Sequence, residues 1–191
     1  MPVFLFKTNE QYYQFYANIA NISLSKAMRS GGHSWKDYYA TYYKAPKDPV
    51  HYHEGAHQLV KSRLNCRGGG SWFQEGLAVY FEGVVFTAED PSIGMKSEVR
   101  QNRHTPLREM IALRSLLHAS DSANQNAGSR YRQAGAIMKF LVEGPDKDRF
   151  PDMLEGVRTG DSWDTIFKNV YARTIDEMDQ AFVDFYKDYK R

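Results

Sequence analysis

The segment His53-Glu54-Gly55-Ala56-His57 constrains this chain more than any other, because a second element must fold against it: Glu75, eighteen positions past His57. The pattern predicts one helix over 50–64, a break at Arg67-Gly68-Gly69-Gly70, and a second helix over 72–82 with Ser71 as its N-cap. Residues four apart lie about 40° from each other around a helix, so His53 and His57 project from one face. Two neutral imidazoles at that spacing suit a shared zinc ion. Glu54 is displaced around the same helix, placing its carboxylate within reach of a water on the metal without making it a ligand. The glycine hinge lets the second helix fold back beside the first, and Glu75 then supplies a third, oxygen ligand. Three protein ligands with one position left open is a catalytic arrangement, whereas a structural site is closed by four. With a single cysteine, Cys66, the chain cannot build the usual thiolate-rich structural site.

The rest of the chain organises around that helix pair. A short apolar strand is expected over 3–6. Thr8 with Gln11 then opens an aromatic helix running to about residue 21, with Tyr12, Tyr13, Phe15, Tyr16 and Ile19 as core. Arg29-Ser30-Gly31-Gly32 reads as a loop, and the tyrosine-rich run over 35–43 as a strand. The polar stretch over 87–104 reads as a surface loop. Further helices are expected over 106–117 with Thr105 as cap, and over 131–143, 146–157 and 162–171. A last helix opens with the box Thr174-Ile175-Asp176-Glu177 and carries Met178, Phe182, Phe185 and Tyr189 on one stripe. The expected fold class is α+β and mainly helical. It has a β-containing N-terminal lobe (1–49), the active-site helix pair (50–83) and a helical lobe (84–191), together one domain.

The motif resembles the gluzincin metallopeptidases: His53-Glu54-x-x-His57-Gln58 followed by Trp72-x-x-Glu75-Gly76-x-Ala78 is similar to the aminopeptidase-N-like clan and its compact peptidase-MA-like relatives. The resemblance covers roughly residues 35–141. It implies a zincin-like catalytic domain, zinc (Zn2+) held by His53, His57 and Glu75, and Glu54 as general base and later proton donor. Tyr131-Arg132-Gln133-Ala134-Gly135-Ala136 is similar to a helix start of that clan, which implies that the Tyr131 hydroxyl donates to the oxyanion. The implied activity is zinc-dependent hydrolysis of a peptide or protein substrate, and the implied location is secreted or in the cell envelope. Three features depart from the clan. The His57-to-Glu75 gap is one residue shorter than in the aminopeptidases. There is no Gly-x-Met-Glu-Asn segment to capture a free amino group, which favours endopeptidase action. Val79 stands where thermolysin-like enzymes place an aspartate that orients a zinc histidine, so another partner must hold the imidazole.

Composition excludes other classes. The 25 basic and 23 acidic residues are interspersed and leave a net charge of +2, without the basic footprint of a nucleic-acid binder. No apolar run approaches the ~20 residues of a membrane span, and Met1-Pro2-Val3-Phe4-Leu5-Phe6 stops at Lys7, too short for a signal-peptide core. Two other functions fit the same zinc pattern: a module that binds a peptide or a cell-surface partner without cutting it, and a hydrolase of non-peptide amides or esters. His51 reads as a polar residue before the helix, and His33, His104 and His118 as isolated histidines. Gln74 and Glu82 read as solvent-exposed, and Cys66 as incidental.

Overall fold

Thr8 starts the first helix as the sequence requires, its hydroxyl accepting from the Gln11 N–H at 3.3 Å. The computed structural model that shows this describes residues 2–35, 38–44, 48–116 and 124–189. Strand β1 (Val3–Phe6) precedes this helix, α1 (Asn9–Ala20), which ends at Asn21 in a left-handed conformation (φ 51°) that asparagine tolerates better than most residues. Tyr12 is fully buried as expected, but Ile19 is 46% exposed and is not core. A one-turn helix α2 (Leu24–Ala27), capped by Ser23, follows.

The single strand expected over 35–43 is instead part of a hairpin. Strand β2 (Gly32–Trp35) pairs antiparallel with β3 (Tyr38–Tyr42), and β3 pairs on its other side, in parallel, with β1. The order β1-β3-β2 puts β3 in the middle. Alternation turns Phe4, Phe6, Tyr38 and Tyr42 towards α1, where their rings meet Tyr12, Tyr13 and Phe15. On the opposite face, a Cβ at Gly32 would lie 3.1 Å from Val50, and the Tyr39 hydroxyl bonds His51 Nδ1 at 3.1 Å. Both contacts belong to helix α3 (Pro49–Ser62), so the sheet is layered between α1 and α3.

Helix α3 starts where Asp48 Oδ1 accepts from the Val50 N–H, with Pro49 in the first turn where its missing N–H costs nothing. Gln58 ties it to the sheet by donating to the Tyr38 carbonyl at 3.1 Å. Helix α4 (Gly70–Val85) folds back beside it and begins earlier than expected: Gly69 is the cap, and Ser71 lies inside the helix with its hydroxyl accepting from the Leu116 N–H. The stretch over 87–104 is not a plain surface loop. It holds a 3-10 turn (Thr87–Glu89) and helix α5 (Met95–Arg100), whose Met95 and Val99, one turn apart, are fully buried. Helix α6 (Leu107–Ala112) is shorter than expected. Thr105 does not cap it; the Thr105 backbone is bonded on both sides by the buried Gln133 side chain. Residue 117, the expected end of that helix, lies outside the described residues. Helices α7 (Asn124–Glu143), α8 (Phe150–Thr159), α9 (Trp163–Tyr171) and α10 (Ile175–Asp188) complete the chain, and the Thr174–Glu177 capping box of α10 forms in full. A 3-10 turn (Lys147–Arg149) occupies the start of the helix expected over 146–157.

The apolar core lies in the helical lobe, centred on Trp72, Phe73, Met138, Phe167 and Phe182. Helices α4 and α7 approach backbone to backbone there: a Cβ on Gly76 would stand 2.7 Å from the Ala134 carbonyl oxygen, and one on Gly135 2.5 Å from Val79. That close approach brings Tyr131, one turn before Gly135, alongside the histidines of α3. Among the described residues no helix is long and apolar enough to cross a membrane.

Candidate metal centre

His53 and His57 leave α3 on one face and meet Glu75 from α4. His53 Nε2 lies 3.1 Å from Glu75 Oε2, His57 Nε2 3.4 Å from the same oxygen, and the two Nε2 atoms are 3.2 Å apart. The edge of a tetrahedron of zinc–nitrogen and zinc–oxygen bonds is about 3.3 Å, so these three donors are spaced as three of its corners. Two imidazole nitrogens and one carboxylate oxygen also match the donor set zinc accepts. By geometry and by chemistry the residues present fit the ion.

The electrostatics favour positive charge at the same point. Burial alone would lower the pKa of His53, but hydrogen bonds to Glu75 and Glu82, with their charges, outweigh it and push the imidazole up to about 10. Burial likewise opposes ionisation of Glu75, yet its hydrogen bonds to His53 and His57 hold it down at about 2. A site that stabilises a proton between carboxylates this way stabilises a divalent cation for the same reason.

Glu82 corrects the sequence reading. Expected to face solvent, it is half-buried and its carboxylate accepts from His53 Nδ1. This commits the Nδ1 proton to Glu82 and turns Nε2 to the site, where a metal that displaces its proton would meet the lone pair, the role left open by Val79. The signal was available: Glu82 follows Glu75 by seven residues, two helical turns, and so shares its face. Val79 packs against α7 instead, next to Gly135. Gln74 is not exposed either; its amide donates to the Cys66 and Gly68 carbonyls at 3.1 and 2.8 Å and closes the loop between the two helices.

Glu54, half-buried on the same helix, lies within electrostatic reach of His57, His53 and Glu75 and close to Ser34 of β2. Burial raises its pKa above the ordinary carboxylate range, and the charges of His57 and His53 pull it back only in part. Tyr131 has its ring centroid 6.4 Å from that of His53. It lies inside α7 rather than at a helix start, because that helix begins at Asn124. Burial, reinforced by Glu75 and Glu54, raises its pKa and keeps the phenol a hydrogen-bond donor. His53, Glu82 and Tyr131 line one wall of a cleft of about 560 Å³.

The remaining expectations sort simply. His51 is inside α3 rather than before it and bonds Tyr39, not the metal donors. His33 is buried among aromatic rings, with Nδ1 3.2 Å from the Tyr12 hydroxyl and Nε2 3.3 Å from that of Tyr38. His104 pairs with Asp179 at 3.5 Å, and His118 lies outside the described residues. Strand β3 is central among the described strands and offers no free edge, whereas β2, which carries Ser34, lies at the margin of the sheet. No protein-family model matches the chain, and neither a curated protein nor a solved structure matches it.

Proposed function

We propose that this protein is a zinc-dependent hydrolase of peptide bonds, with a zincin-like catalytic domain in which His53, His57 and Glu75 hold the ion. The observation that carries this reading is the convergence of three donor atoms from two helices at tetrahedral spacing, with Glu54 and Tyr131 close by. When bound, zinc supplies Lewis acidity, polarising a carbonyl and making water acidic enough to lose a proton near neutrality.

The chain's own groups then have separate tasks. Glu54 takes the proton from the attacking water and passes it to the leaving amine; burial raises its pKa, which brings it closer to the pH at which it must do both. Ser34 holds that carboxylate in place. Tyr131 donates its hydroxyl to the oxygen on which negative charge develops. Glu82 holds the ring of His53 in one tautomer. The free edge of β2 pairs with an extended substrate, adding backbone hydrogen bonds beside Glu54. Without a segment to capture a terminal amino group, internal cleavage is the mode proposed.

Metal content with and without His57→Ala tests the site, and cleavage of a mixed peptide library with and without chelator tests the activity. About one zinc per chain, lost in His57→Ala, is the expected result. Glu54→Gln should retain the zinc and lower turnover by about 10²- to 10⁴-fold. Failure to take up metal after zinc is added back would overturn the proposal, and near-full activity in Glu54→Gln would remove that residue as the base.

A further inference from the structure

The cleft beside His53 combines an apolar wall with one unpaired charge. Val79 of α4 and Ala88, Pro91 and Ile93 of the following segment make the wall. Four charged residues also line the cleft, and three are already engaged. Glu82 holds His53. Asp90 accepts from the Ser92 N–H and hydroxyl at 2.9 and 2.7 Å and from Lys139 at 3.1 Å. Arg132 pairs with Glu98 at 3.3 Å. The fourth, Glu89, is exposed and has no side-chain partner among the described residues. Its backbone is nonetheless anchored, at the end of the 3-10 turn where its N–H bonds the Phe86 carbonyl at 2.9 Å.

An aliphatic surface ending in an unpaired carboxylate on an anchored backbone matches a side chain with an apolar stem and a cationic head. We infer that Glu89 makes the cleft select substrates with a lysine or arginine near the scissile bond. The stem lies along Val79 and Ile93, and the cation meets Glu89. An acidic residue at the same place is rejected, because the one lining charge left without a side-chain partner, Glu89, is negative. The inference rests on the hydrolase reading and deepens it by naming a substrate class.

The test uses the zinc-loaded protein and a peptide library whose cut sites are read by mass spectrometry. It is followed by matched peptides carrying lysine, arginine, norleucine or glutamate at the selected position. Norleucine keeps the stem and removes the charge. The expected result is a basic residue enriched at one fixed distance from the cut, with lysine preferred over norleucine by about tenfold or more in kcat/KM. Glu89→Gln should collapse that ratio towards one, and Glu89→Lys should turn the preference towards glutamate. High salt should weaken the ratio as well, since the carboxylate is exposed. A library cut without basic preference, or a preference that survives Glu89→Gln, overturns the inference and leaves the hydrolase reading standing. A library left uncut by zinc-loaded protein removes the hydrolase reading, and the inference with it.

Discussion

The two sides of the candidate centre are held together by different physics. On the helical side, the contiguous core of buried side chains from Val60 to Tyr186 is dominated by methionine, leucine, isoleucine, phenylalanine and tryptophan. On the N-terminal side, the largest buried side chains are Tyr12 and Tyr39, and with them His33 and Thr41 are buried. These are polar-tipped groups that need partners. Tyr12 meets Ser30 and His33, Tyr39 meets His51, and Thr41 donates to the Gly31 carbonyl. Helix α3 touches both sides and carries the histidines. The apolar lobe fixes Glu75, Glu82 and Tyr131 by close packing of α4 on α7. The aromatic lobe holds β2, whose Ser34 lies close to Glu54, by hydrogen bonds to the neighbouring His33. The half of the centre that carries Glu75 and Glu82 thus rests on packing, and the strand beside Glu54 on a hydrogen-bonded network.

The comparison is broken most severely by opening a hole in the packed side. Trp72 is fully buried on α4, one turn before Glu75, with its ring 4.6 Å from that of Trp163. Trp72→Ala should cost about 3–5 kcal/mol, read as a shift in the urea midpoint, because it removes the largest side chain of the core. Trp72→Phe should cost much less, because the indole N–H is buried without a partner among the described residues and its loss leaves nothing unsatisfied. Equal costs for the two variants would mean that packing volume does not govern this lobe.

Acid should distinguish the lobes next. Burial among Tyr12, Tyr16 and Tyr38 lowers the pKa of His33 from 6.5 to about 4. The folded chain keeps this imidazole neutral while the unfolded chain protonates it near 6.5, so its contribution is intact above pH 6.5 and is lost as pH falls towards 4. The loss amounts to about 3 kcal/mol. Hydrogen exchange at pH 7 and pH 5 should show the amides of α1 and the β2–β3 hairpin losing protection ahead of those of α4 and α7. His33→Phe, which preserves the ring stack on Tyr16, should flatten that pH dependence. A hairpin equally protected at both values would show that His33 is not the acid-sensitive element.

The same contrast explains what was legible in the sequence. The α3–α4 pair and its three donors follow from a four-residue spacing and a glycine break, signals that survive in almost any context. The role of Glu82 was hidden by a sound habit, that a carboxylate near a helix end faces water; the two-turn offset from Glu75 outweighs it only because α3 lies across that face. Helix α5 was masked by its polar composition, since only Met95 and Val99 point inward. The tyrosine run before the centre read as one strand because β-propensity does not mark where a hairpin turns. Which tyrosines sit inside depends on partners such as Ser30 and His33, distant in sequence, and no local pattern announces them. Tyr131 was found as a residue but misplaced within its element, because α7 begins in a polar stretch without an apolar stripe.

The smallest effect is the sharpest test of the comparison, because it removes one oxygen from each lobe. Tyr12 and Tyr186 are both fully buried. The Tyr12 hydroxyl joins Ser30 at 2.7 Å and His33 Nδ1 at 3.2 Å, while that of Tyr186 donates to the Ala136 carbonyl at 3.0 Å. Ala136 lies inside α7, so its carbonyl keeps a helical partner when the phenol is gone. His33 Nδ1 is left without its Tyr12 partner. Tyr12→Phe should therefore cost about 1–2 kcal/mol and Tyr186→Phe about 0.5 kcal/mol, measured by urea unfolding at neutral pH. Tyr12→Phe should also reduce turnover through the shifted hairpin that carries Ser34, with zinc affinity unchanged, since His53, His57 and Glu75 do not rest on that network. Equal costs, or a loss of zinc in Tyr12→Phe, would show that the two lobes are not held by separate means.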